Sequence, residues 1–204
     1  MIRAGSDSRG LSLTSPTLTV FDLEYTAWEC SMARRWLAPG EFKEVVQIGA
    51  VKLDADSFVV LAEFDVLVRP RINHRLSPYF EKLTGITTAM VARTGCDFEM
   101  AYGRFLNFAG EGPIAAFGRD ERVLDDNMRL YGIAKPRPLP PFYDLRGWFA
   151  ALGIDPRGLH SCDLAPALGL AFAGKPHNAL DDARSIASAM AVMAARGARL
   201  KPAA

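Results

Sequence analysis

Apolar and polar positions follow the short period of strands in the first third of the chain and the longer period of helices in most of the rest. Thr19-Val20-Phe21-Asp22-Leu23-Glu24 is an apolar run interrupted by two carboxylates. Residues two apart on a strand share a face, so Asp22 and Glu24 project side by side from a segment otherwise built for burial. A second strand is predicted over Glu44 to Leu53. Asp54-Ala55-Asp56-Ser57 supplies the turn into Phe58 to Val68, where Val59-Val60-Leu61 and Phe64 to Val68 are strand-like. Three sequential strands predict an antiparallel meander, and the helices that follow predict a mixed sheet.

Between the first two strands lies Tyr25 to Lys43, longer than a hairpin needs, and long loops are more often functional. It carries Trp28, Glu29, Arg34, Arg35 and Trp36. Aromatic rings can stack on bases and guanidinium groups can meet phosphates. For either tryptophan alone, packing the loop onto the body is the simpler expectation.

Helical signals begin at Ser77-Pro78, an N-cap with proline at the first helical position, and Gly85 marks the stop. Asp97 precedes a helix in which Phe98, Ala101, Tyr102, Phe105 and Phe108 recur at core spacing. Pro113 to Gly118 reads as a short buried strand, and Asp120 opens a helix through Leu130 and Tyr131, where an acid has an ordinary capping role. After the proline-rich connector Lys135 to Pro141, Phe142-Tyr143-Asp144-Leu145 is a short strand leading into a helix with Trp148, Phe149 and Leu152. Ser161 is read as the cap of a further helix holding Leu164, Leu168 and Leu170. In the last helix Asn178 is the cap and Ile186, Ala189, Met190 and Met193 form the apolar stripe. Asp182 falls on that stripe, four residues before Ile186, whereas Asp181 is assigned to solvent. His177 lies just outside the helix, where its imidazole can titrate near neutral pH.

The chain has 204 residues, half of them hydrophobic, enough for one domain with a full core and cramped for two. We assign residues 17–197 to that domain, 1–16 to a flexible N-terminal tail and 198–204 to a C-terminal tail. With 24 basic and 23 acidic residues, the net charge of +1 excludes a broad cationic face for long duplex DNA. Contact with nucleic acid would be local, a few nucleotides at a strand end. Cys30, Cys96 and Cys162 have no paired spacing and read as thiols in a reducing compartment. No signal-peptide core or bilayer-length apolar run is present, so a cytoplasmic protein without a membrane partner is expected.

Two adjacent carboxylates repel each other and are costly to desolvate alone, so a cation is expected between them. Hard divalent ions such as magnesium and manganese prefer carboxylate oxygens. Phe21-Asp22-Leu23-Glu24, an aspartate after a central strand, and His177 followed five residues later by Asp182 together resemble the DEDDh, or DnaQ-like, family of 3′-to-5′ exonucleases. Val46-Gln47-Ile48-Gly49-Ala50, Leu83-Thr84-Gly85-Ile86-Thr87 and His177-Asn178-Ala179-Leu180-Asp181-Asp182-Ala183 are also similar to that family. The resemblance runs from about Thr17 to Arg196.

It implies an RNase H-like fold, a mixed sheet flanked by helices. It also implies two divalent cations, magnesium or manganese, held by Asp22, Glu24, Asp120 and Asp182, with His177 as general base. The implied reaction releases nucleoside monophosphates from single-stranded RNA or DNA 3′ ends, with Leu23 and backbone amides after Asp22 against the terminal nucleotide. Tyr25, Thr26 and Trp28 are further candidate substrate contacts. The first motif continues Glu24-Tyr25-Thr26 where many relatives have threonine directly after the glutamate. Glu121 and Asp125 are alternatives to Asp120 in the second motif. Two other readings remain: a noncatalytic regulator with an exonuclease-like fold, and a structural acidic metal site in an unrelated α/β domain. Monomer and homodimer are both open.

Overall fold

Strand β1 (Thr17–Tyr25) is buried on both faces, which suits only a central position in a sheet covered on both sides. The computed structural model describes residues 15–135 and 138–198 and places β1 there. The chain continues through α1 (Ser31–Arg34), β2 (Val45–Asp54), β3 (Val60–Leu67), α2 (Pro78–Thr84), α3 (Thr88–Thr94), α4 (Phe98–Ala109) and β4 (Ile114–Ala116). Then follow α5 (Asp120–Tyr131), β5 (Phe142–Asp144), α6 (Leu145–Ala151), a 3₁₀ turn (Ser161–Asp163), α7 (Leu164–Ala167) and α8 (Ala179–Ala195).

The sheet order is β3-β2-β1-β4-β5. The first three strands form the antiparallel meander, and β4 and β5 add in parallel. The expected mixed sheet flanked by helices is therefore observed. The two-residue period of β1 sorts its side chains between two cores. Leu18 and Val20 pack with Leu145, Phe149, Ile186 and Met190 under α6 and α8. Phe21 and Leu23 pack with Phe98, Phe105, Leu124 and Met128 under α4 and α5. Asp22 and Glu24 continue the Leu18–Val20 row, on the α8 side.

Local capping chemistry set several boundaries. The Ser77 hydroxyl accepts the Phe80 N–H (3.0 Å), and Gly85 ends α2 at φ +76°. Other expectations are corrected. The short helix α3, capped by Thr87, was not foreseen. Asp97 precedes α4 but makes no side-chain cap hydrogen bond; it pairs with Arg69 (3.6 Å). Ser161 caps no helix, and the expected helix after it is only the 3₁₀ turn and the four residues of α7. The tails, apart from Ser15, Pro16 and Ala198, lie outside the described residues, as do residues 136 and 137 of the connector.

Candidate active site

The last helix is carried onto the first strands by two residues of β2. A side-chain carbon at Gly49 would fall inside the backbone of Ala179 and Leu180, so glycine is what lets α8 approach so closely. Gln47 accepts the Ala179 N–H on its carbonyl (2.9 Å) and donates its amide to Asp65 (2.8 Å). Asn178 caps the helix by accepting the Asp181 N–H (3.3 Å). Further along, Arg184 forks onto Glu63 of β3 (2.8 and 2.6 Å) and reaches Asp181 (2.7 Å). Asp181 also accepts the Lys175 N–H (2.9 Å), so it is a bound support rather than a solvent-facing one. His177, at φ +61°, donates its backbone N–H to the Asp182 carboxylate.

This docking brings Asp182 beside Glu24. Donor atoms of Glu24, His177 and Asp182 all lie within 4.8 Å of one another. Asp22, on the same row of β1, accepts a hydrogen bond from the Ser161 hydroxyl (2.7 Å). Asp120, the first residue of α5, makes no capping hydrogen bond and instead adds its charge to the field at Glu24. The alternatives in the second motif are engaged elsewhere: Glu121 pairs with Arg119 (2.5 Å) and Asp125 with Lys135 (2.8 Å).

Burial first, and neighbouring charges second, raise the proton affinities of these acids. Burial, then the neighbouring Asp182, pushes Asp22 from 3.8 up to about 8. Burial likewise lifts Asp182 to about 7, against the hydrogen bond from His177. Glu24 rises well above the ordinary carboxylate range through burial and the charges of Asp22, Asp182 and Asp120. Asp120 does so through burial and then Asp22, Glu121 and Asp144, opposed by Arg146. Half-buried His177 is pulled below its usual value, first by burial and then by His160, whose ring centroid stands 6.0 Å away.

A cavity of about 350 Å³ opens over these groups, a size suited to a small ligand. Asp22, Glu24, Asp120, His177 and Asp182 form its polar end, and Tyr79, Leu83, Met32 and Trp36 are among its other walls. Leu23 and Tyr25 also line it. Thr26 and Trp28 are not among the cavity walls. The Thr26 hydroxyl is buried, bonded to the Phe42 carbonyl and accepting the Glu44 N–H (3.0 Å). Arg34, from the same insertion, is tied to Glu41. Ser161 and His160 line the cavity without having been expected there; nothing local to either residue signals a partner so distant in the chain.

The donor set fits hard divalent cations. One Asp182 oxygen, Oδ1, is buried without a hydrogen-bond partner, and the acids around it destabilise one another unless a cation neutralises them. The family model described as Exonuclease (RNase_T) matches residues 19–190. The chain belongs to this exonuclease family. An exonuclease/endonuclease of Mycobacterium tuberculosis, named as bifunctional, is 33% identical over 185 residues. These make up 86% of this chain and 26% of that protein. Human ERI1 exoribonuclease 3 is 26% identical over 177 residues, 76% of this chain and 49% of that protein. The exonuclease chain thus spans half or less of the length of these curated relatives. Its fold matches the nuclease domain of 3′hExo, a DEDDh family member bound to rAMP, with TM-score 0.77 and 22% identity over 92% of this chain and 96% of that one. It also matches the zinc-bound E. coli ExoI–ssDNA complex, with TM-score 0.67 and 15% identity over 89% and 41%. The fold is that of the RNase H-like exonucleases, and the family implies dependence on divalent metal.

Proposed function

We propose that this exonuclease removes nucleoside monophosphates from the 3′ ends of single-stranded RNA or DNA, using two magnesium or manganese ions. The observation that carries this is the convergence of Asp22, Glu24, Asp120 and Asp182 with an imidazole at their rim. The four carboxylates would hold the ions, which supply charge neutralisation and a lowered water pKa at a scissile phosphate. Burial of Asp22 and Glu24 under the α8 face orients them and keeps bulk water from competing. His177, its proton affinity lowered, is neutral near pH 7 and accepts the proton of the attacking water as oxygen bonds to phosphorus. The phosphorus–O3′ bond breaks in line, and the departing oxygen takes up a proton from solvent. Apolar walls at Leu23, Leu83 and Met32 suit a base, and the 350 Å³ cavity suits a chain end. The names of the relatives support a nucleic-acid substrate: an exoribonuclease in one case and a complex with ssDNA in another.

A 5′-labelled oligonucleotide incubated with manganese tests the reading. A ladder shortening from the 3′ end and abolished by chelator is the expected result. His177→Ala should slow it by about 10²–10⁴-fold, the range for a lost general base, while retaining manganese binding. Absence of cleavage would favour a noncatalytic regulator, internal cuts would contradict the polarity, and wild-type rates in His177→Ala would remove the base from the scheme.

A further inference from the structure

Ser161 occupies the start of the 3₁₀ turn, yet its hydroxyl caps nothing local. It is buried and donates to Asp22 Oδ1 at 2.7 Å, across 139 residues of sequence. The turn that presents it is braced. The His160 N–H bonds the Asp163 carboxylate (2.8 Å), and the Ala165 N–H bonds the Ser185 hydroxyl of α8 (3.1 Å). The donor position is therefore set by the same helix that carries Asp182.

We propose that Ser161 is a positioning residue that locks the Asp22 carboxylate in the orientation the cations need. This rests on the reading of the cluster as a cation centre. The terminal torsion of aspartate is broad, so a carboxylate facing Asp182 and Glu24 is free to swing away from them. One hydrogen bond from Ser161 holds it in place. It uses one of about four acceptor directions on the carboxylate, and leaves Oδ2 and the rest of Oδ1 for ligation. Partners of this kind orient ligating groups in metal centres generally, and their loss costs about 10–100-fold in metal affinity or activity.

Calorimetric titration of manganese into the metal-free protein reads this directly. Wild type should bind, Ser161→Ala should bind about 10–100-fold more weakly, and Ser161→Thr, which keeps the hydroxyl, should recover most of the affinity. The melting temperature without metal should change little in either variant. Ser161→Ala affinity equal to wild type, with or without a lower melting temperature, would overturn the role of Ser161 and leave the cation centre standing. Failure of the wild type to bind manganese would overturn both.

Discussion

Two buried carboxylate sites in this molecule are treated in opposite ways. Glu44, fully buried directly before β2, accepts the backbone N–H groups of Arg71 (2.8 Å), Ile72 (2.7 Å) and Asn73 (2.7 Å). It also accepts the Asn73 amide (2.8 Å) and the Tyr131 hydroxyl (2.6 Å). Asp22, Glu24 and Asp182 are nearly as buried, yet Asp22 has a single side-chain donor and Asp182 Oδ1 has none. Burial of a charge costs several kcal/mol unless partners offset it. Glu44 meets that cost with donors from the chain and pins a loop; the cluster does not meet it from its own side chains, which suits carboxylates that hold cations.

The contrast is testable from both sides. Asp182→Asn removes a repelling charge: hydrolysis should fall by more than about 100-fold, beyond the loss from removing a group that only orients a metal ligand. The metal-free melting temperature should hold or rise; a fall would show Asp182 to be structural, like Glu44. Glu44→Ala should do the reverse. With five part-buried hydrogen bonds lost at about 0.5–1.5 kcal/mol each, stability should drop by about 3 kcal/mol or more in a denaturant titration. The fraction still folded should keep its manganese affinity.

The last contrast is in the pH dependence of stability. Asp22 ionises near 3.8 when unfolded and near 8 in the folded cluster, and Asp182 near 3.8 and 7. Above about pH 4 the folded state therefore holds more protons than the unfolded one, and this contribution to stability declines as pH rises towards 8. Melting temperatures taken between pH 5 and 8 should fall without manganese and level out with it. A rise without metal would mean the acids are not mutually strained.

What the sequence made legible follows the range of the interactions involved. Ser77-Pro78 and Gly85 fixed α2 because a cap and a left-handed stop act within a few residues. The alternation along β1 put Asp22 and Glu24 on one face, and the apolar stripe of α8 turned Asp182 inward. Ser161 was misread because a hydroxyl before a helical run has a strong local use, while its actual partner is set by tertiary packing. Thr26 was misassigned for the same reason: its bonds to residues 42 and 44 depend on how the insertion folds back. Asp181 looked solvent-facing until the loop before His177 closed over it.

The contact between Gly49 and the start of α8 also bears on synthesis. A nascent chain emerging from the ribosome carries Asp22 and Glu24 early, but Asp182 and His177 come only with the final helix. Translation thus supplies the acids of β1 well before their partner on α8. The acidic cluster assembles only after α8 has docked, so its last ligands join a sheet that is already paired.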